Sequence, residues 1–205
     1  MYHDELDGRG QLSHSSIDYA LAPSLDTSAP GQYGWDDIVV LTDSVRLPGA
    51  SAPSYQTVNG RAPLQLIRFQ NTGNEYVHFT IQLPHSRKPE SDLKWHVHCI
   101  PEASVPNGQT ISFALQYFTS TPSAVISATT NITTTWTAAT VTATNYHCIT
   151  TGAEIDGSAL EASSILSCRM RRASTDTFGG NVMLLGTDFH FQRSRLGSAL
   201  ENGTR

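Results

Sequence analysis

Histidine and aspartate set the chemical possibilities of this chain. His96 and His98 stand two apart in Trp95-His96-Val97-His98, and Asp188 and His190 stand two apart in Asp188-Phe189-His190-Phe191. Imidazole titrates near neutral pH and ligates metals through nitrogen, so paired histidines suit a metal site, a proton relay or a hydrogen-bonded interface. A spacing of two puts both side chains on the same face if the backbone is a β-strand. His96, His98 and His190 are therefore the candidate metal ligands.

The flanking residues supply that strand. Going out, Val77, Phe79, Ile81 and Leu83 share one face, with Tyr76, His78, Thr80 and Gln82 on the other. Coming back, Leu93, Trp95, Val97 and Cys99 share a face, with Lys94, His96 and His98 opposite. A period of two marks strands buried on one side. The connection from Pro84 to Asp92 is polar and broken by proline, a loop signal. The two runs read as antiparallel strands of one half-exposed sheet, and if the loop closes a simple hairpin pairing Leu83 with Leu93, His78 comes opposite His98 as a third imidazole. His-x-His on a strand is a metal-ligand spacing known from cupin barrels, but the glutamate and glycine-rich motifs that accompany it there are absent. The expectation is that His96 and His98 stack or hydrogen-bond within a polar subunit interface, with no metal or other cofactor.

Other chemistry finds less support. No Gly-x-Ser-x-Gly elbow is present for a serine nucleophile. The spacing of Asp36, Asp37, Glu90, Asp92, Glu154, Asp156 and Asp188 selects no carboxylate pair for glycoside cleavage. No glycine-rich loop opens a helix to cradle phosphate. A non-enzymatic protein is expected. Trp35-Asp36-Asp37 reads as an aromatic plug at a rim, with stacking on sugar as the alternative. Arg169, Arg171 and Arg172 read as a solvated strand face or as partners for acidic groups on a neighbour.

The chain of 205 residues has 39% hydrophobic content and a net charge of −5. The low apolar content suits sheets wetted on one side. The acidic balance, with a pI near 5.8, argues against direct nucleic-acid binding, which needs clustered Lys and Arg. No transmembrane run is present, and the acidic start Met1-Tyr2-His3-Asp4-Glu5 is unlike a signal peptide. Synthesis in the cytoplasm and no membrane partner are expected. Cys99, Cys148 and Cys168 are widely spaced without a CxxC, and read as buried reduced thiols.

Residues 1–34 lack a sustained period and are rich in Ser, Gly, Asp and Pro. Sparse apolar residues, Leu12, Ile17, Tyr19 and Leu21 among them, suit an extended arm that orders along a neighbouring subunit. Residues 35–195 read as a β-sandwich domain and 196–205 as a C-terminal tail. Strands are predicted at 35–41, 64–69, 76–83, 93–100, 110–118, 146–149, 165–171 and 182–192. Within the Thr/Ser/Ala tract 119–144, the run from Trp136 to Thr142 is the most regular. One helical turn is expected at 157–162. Eight to ten short strands with turn signals every 8–12 residues point to an all-β antiparallel sandwich, jelly-roll-like.

Three segments resemble a family of proteins encoded by tailed bacteriophages and their prophages. They are Trp35-Asp36-Asp37-Ile38, then Ile81-Gln82-Leu83-Pro84-His85-Ser86 with Trp95-His96-Val97-His98, and Asp188-Phe189-His190-Phe191-Gln192 followed by Gly197-Ser198. The match spans roughly residues 35 to 198. Lys94-Trp95 stands where a His-Pro is usual in that family, which removes one potential ligand, and Cys99 stands where an aromatic is common. The resemblance implies a virion component built as a homotrimer of β-sandwich subunits. A capsid decoration or cement protein that contacts the major capsid protein or other virion proteins fits best, with a tail-fibre, needle-knob or adaptor part as the alternative. From another class comes a metal- or carbohydrate-binding sandwich.

Overall fold

A computed structural model describes residues 34–58, 65–71 and 74–194. The predicted arm, with Leu12, Ile17, Tyr19 and Leu21, and the predicted tail at 196–205 lie outside the described residues.

Eleven strands are present among them: β1 (Trp35–Leu41), β2 (Ser54–Thr57), β3 (Gln65–Phe69), β4 (Tyr76–Gln82), β5 (Leu93–Pro101), β6 (Thr110–Ser120), β7 (Thr130–Thr137), β8 (Cys148–Ile149), β9 (Ala153–Ile155), β10 (Ile165–Arg172) and β11 (Val182–Gln192). They form two antiparallel sheets. The larger runs β2-β3-β11-β5-β8, with β1 also pairing β11 and β9 also pairing β5; the smaller runs β4-β10-β6-β7. With β8 and β9 taken as one interrupted strand, the orders β3-β11-β5-β8/β9 and β4-β10-β6-β7 are those of a jelly roll, two Greek keys folded face to face. No helix among the described residues is long and apolar enough to cross a membrane.

The core lies between the sheets, and the period-two residues build it. Val77, Phe79 and Ile81 of β4 and Ile111, Phe113 and Leu115 of β6 face Leu93, Trp95 and Val97 of β5 and Phe189 and Phe191 of β11, all buried. Edge-to-face ring pairs bridge the two layers, Phe69 on Phe113 at 6.0 Å and Phe79 on Phe189 at 6.1 Å. That geometry suits the ring quadrupoles. The cysteines Cys99, Cys148 and Cys168 are buried and free. Burial pushes the Cys168 thiol well up, and a hydrogen bond to Cys148 with burial does the same at Cys99.

The predicted β4–β5 hairpin is not formed. β4 pairs β10 and β5 pairs β11, so the two strands lie in opposite sheets and the loop 83–92 crosses the end of the sandwich. Both strands bury their odd-numbered residues, but they do so from opposite sides of one core. A period of two is identical in the two arrangements. Arg87 anchors the crossing: it is 5% exposed and donates to the carbonyls of Ser91 and Leu160.

Two smaller expectations also change. The regular strand of the threonine-rich tract is Thr130–Thr137, not Trp136–Thr142, because pairing with β6 from Thr110↔Thr137 to Tyr117↔Thr130 sets the register. The segment 157–162 forms turns, closed by Leu160 N–H to Gly157 O at 3.1 Å, rather than a helical turn.

Both outer edges of the small sheet are bonded to connecting segments that flank strands of the large one. Thr151 donates its N–H and its hydroxyl to Thr135 O, each at 2.9 Å. On the other side Arg46 and His78 exchange backbone hydrogen bonds of 2.7 and 2.9 Å. Covered edges blunt the open templates that invite unplanned strand pairing.

Candidate functional site

The sequence-predicted histidines His96, His98 and His190 converge on the outer face of the larger sheet. Their position follows from the pleat and from one irregularity. On β5 the odd residues fill the core, so Lys94, His96 and His98 point out. On β11 the core residues change parity, from Val182 and Leu184 to Phe189 and Phe191. A bulge between Leu184 and Gly186 makes the switch: Leu184 faces Cys99, but Gly186, not Leu185, faces His98. One extra residue reverses every later side chain. Without it Asp188 and His190 would point into the core. With it, Asp188 stands opposite His96 on β5 and Val39 on β1, and His190 stands opposite Lys94 and Asp37.

Asp188 is the hub. Its Oδ2 lies 2.9 Å from His190 Nε2 and 3.4 Å from His98 Nε2. Its Oδ1 is buried with no hydrogen-bond partner among the described residues. The row extends both ways, from His98 Nδ1 to His147 Nε2 at 2.9 Å and from His190 Nε2 to Asp37 Oδ1 at 3.4 Å. The His96 ring sits 4.5 Å from the His190 ring, tilted by 41°. His147, His98, Asp188, His190 and Asp37 thus form one continuous string of titratable groups. A carboxylate shared by two imidazoles can fix their tautomers and pass protons between them.

The three candidate ligands are not equivalent. His96 Nδ1 lies 2.9 Å from Thr150 O. Its Nε2 faces the backbone of Gly152, where an added Cβ would come within 2.8 Å. Both ring nitrogens of His96 are therefore occupied or walled off. The donor atoms that do converge belong to Asp37, Asp188 and His190, all within 4.8 Å of one another. Mixed nitrogen and oxygen donors of this kind suit a first-row divalent ion such as Zn²⁺.

His78, expected as a third imidazole, is in the other sheet, opposite Arg169. The hairpin that would have brought it over does not exist. Asp37 and His147 were not legible as members of the site: Asp37 enters through the β1–β11 register, and His147 precedes a strand of two residues. No spacing along the chain encodes either contact.

The Trp35 cluster sits at the rim of the same face. Trp35 is 51% exposed, with Lys94 Nζ 5.8 Å from its ring centre. Its neighbouring carboxylates are engaged within the protein, Asp36 with the Asp37 backbone N–H and Arg193, and Asp37 with His190. Of the three arginines, Arg172 departs from a solvated face. It is 4% exposed and paired with Asp176 at 2.5 Å.

No protein-family model matches the chain, and no curated protein does. Solved structures give weak likenesses of fold. The mosquito-larvicidal Cry4Aa toxin of Bacillus thuringiensis aligns at 10% identity and a TM-score of 0.39 over 78% of this chain and 24% of its own. Dimeric latent PorU of Porphyromonas gingivalis aligns at 8% identity and 0.34 over 79% and 13%. Eiger TNF of S. frugiperda aligns at 13% identity and 0.31 over 84% and 98%. This chain spans less than a quarter of the length of the first two. Likeness at this level carries no function across.

Proposed function

We propose that this chain is a non-enzymatic structural subunit of a tailed-phage particle: a homotrimeric capsid decoration, or cement, protein of the virion. One observation carries the reading. The edge strand β1 exposes three large apolar side chains on a single face, Trp35 at 51%, Val39 at 59% and Leu41 at 57%. They border the histidine row, and Ile149 at 48% stands across from His98 on the far side. Grouped exposed apolar side chains beside hydrogen-bonding imidazoles have the character of an association surface. The phage-type motifs support the same reading, since Asp188, His190, His96 and His98 all fall on this face. The mechanism is mechanical. Copies of the chain bury the β1 face against one another, and the assembled particle places them on the major capsid protein or other virion proteins.

Light scattering on the purified full chain tests it. A mass of three subunits is expected, against 22.3 kDa for one chain. Charge placed on the patch, as Val39→Asp with Leu41→Asp, is expected to give folded monomers. A wild-type monomer at tens of micromolar would remove the proposal. Deleting residues 1–30 tests the arm separately, through loss of incorporation into particles.

A second reading, a metal-binding sandwich, is favoured by the convergence of Asp37, Asp188 and His190 and by the unpartnered buried oxygen of Asp188. Elemental analysis of protein purified without chelator separates the two. One Zn²⁺ or similar ion per chain, lost in Asp188→Asn, would establish it. Wild-type protein that stays metal-free after incubation with Zn²⁺ and desalting would dismiss it.

A further inference from the structure

The outer face of the four-stranded sheet, on the opposite side of the sandwich from the histidine row, carries a line of hydrogen-bond donors. Arg46 faces His78, His78 faces Arg169, Arg169 faces Gln116, and Gln116 faces Asn131, each pair in direct register. The inward neighbours on these strands, among them Phe79, Met170 and Leu115, are buried, so the pleat turns the line outward. Directly opposed side chains sit about 4.5–5.5 Å apart at Cβ, and like charges so placed destabilise a sheet. Here two arginines flank a histidine. Among the described residues neither Arg46, Arg169 nor Arg171 has a carboxylate partner.

Arg169 is held ready rather than left loose. Its guanidinium lies 3.8 Å from the centre of the Tyr76 ring, and its Nε is buried with no hydrogen-bond partner among the described residues. A stacked guanidinium keeps its fork of N–H donors in a fixed plane. The line crosses a groove of about 510 Å³ walled by Arg46, His78, Gln116, Phe118, Ser167 and Arg169. Beyond Arg169 a smaller recess of about 100 Å³ adds Asn131 and Arg171. Among the described residues neither wall contains an acidic one.

We infer that this groove binds an acidic saccharide, a sugar bearing a carboxylate or a phosphate. The guanidinium forks of Arg169 and Arg46 match the paired oxygens of either anion. Gln116 and Asn131 each offer a donor and an acceptor, the pattern that satisfies sugar hydroxyls. Phe118 supplies an apolar wall. The volume lies within the roughly 300–1,000 Å³ of small-molecule sites. A net charge of −5 disfavours a long polyanion, which would be repelled beyond the groove. The inference does not rest on the virion reading.

Calorimetric titration of the full chain with galacturonate, glucose 6-phosphate, galactose, glucose and inorganic phosphate tests it. Binding of at least one acidic sugar is expected, with its neutral counterpart about ten-fold weaker or worse, the loss of one charge-assisted contact, and inorganic phosphate weaker by a similar factor, because it has no sugar hydroxyls for Gln116 and Asn131. Whichever acidic sugar binds identifies the anion. Arg46→Ala and Arg169→Gln are each expected to weaken it by about ten-fold. Arg46 is exposed, so its variant is expected to fold even if the other does not. Any of four results would overturn the inference: no acidic sugar binding at millimolar concentration, neutral sugars binding equally, inorganic phosphate binding as tightly as the sugar, or undiminished affinity in folded Arg46→Ala.

Discussion

Trp95→Ala is expected to destabilise the protein by about 3–5 kcal/mol, the usual range for a large aromatic lost from a packed core. For a chain of this size that lowers the unfolding midpoint by roughly 10 °C. Trp95 is fully buried in the first half of β5, beneath the histidine row. Its indole N–H donates to Thr187 Oγ1 at 2.6 Å, and that hydroxyl donates to His96 O at 2.6 Å. The ring therefore does two things: it fills the space between the sheets and locks β5 to β11 where His96 and Asp188 stand opposite each other. Trp95→Phe keeps most of the ring and loses the indole N–H bond, so its cost should be nearer 1–2 kcal/mol. Urea unfolding of both variants at one fixed protein concentration distinguishes the effects, the concentration being held because association stabilises. Equal losses in the two variants would show that the hydrogen bond, not the ring, fastens the two strands. Imidazole NMR signals of His96 and His190 should also move more in Trp95→Ala than in Trp95→Phe.

What the residues disclosed, and what they hid, follows from the range of each signal. Period-two alternation is local, and it sets β4 and β5 within a residue of their observed ends. It also gave the core face of β6, where Ile111, Phe113, Leu115 and Tyr117 are all buried. The partner of a strand is not local. The Val77–Leu83 and Leu93–Cys99 runs read the same in a hairpin and in a crossover, so His78 was placed beside His98 when a core separates them. The bulge at Leu185 was hidden for a different reason, since Val182-Met183-Leu184-Leu185 is apolar throughout and shows no parity to be broken. The Thr-rich tract lacked apolar residues to phase it, and β2 and β9 were too short to show any period. His96, His98 and His190 do share one face as their spacing required. Asp37 and His147 join them only through pairings that no spacing along the chain encodes.

Asp176→Ala should cost about 3–5 kcal/mol, because it strands a buried cation. The Arg172 and Asp176 side chains are 3% and 6% exposed. Arg172 gives Nε and Nη2 to Asp176 Oδ2 at 2.8 and 2.5 Å, and it donates to the carbonyls of Gly180 and Phe178 at 2.6 and 2.9 Å. Asp176 Oδ1 in turn accepts from Phe178 N–H at 3.0 Å. One ion pair thus ties the whole β10–β11 connection into the end of the sandwich. The two residues act as a unit, so the double variant Arg172→Met with Asp176→Leu should recover much of the loss: it removes both charges together and keeps apolar volume. It will not recover all of it, since the Gly180 and Phe178 carbonyls lose their donor. Because the pair is shielded from solvent, 1 M NaCl should change the cost of Asp176→Ala little. A double-mutant cycle in urea measures the coupling. Strictly additive losses, or a cost that vanishes in salt, would mean that the contact behaves as a surface ion pair and that the connection is held by its backbone turns alone.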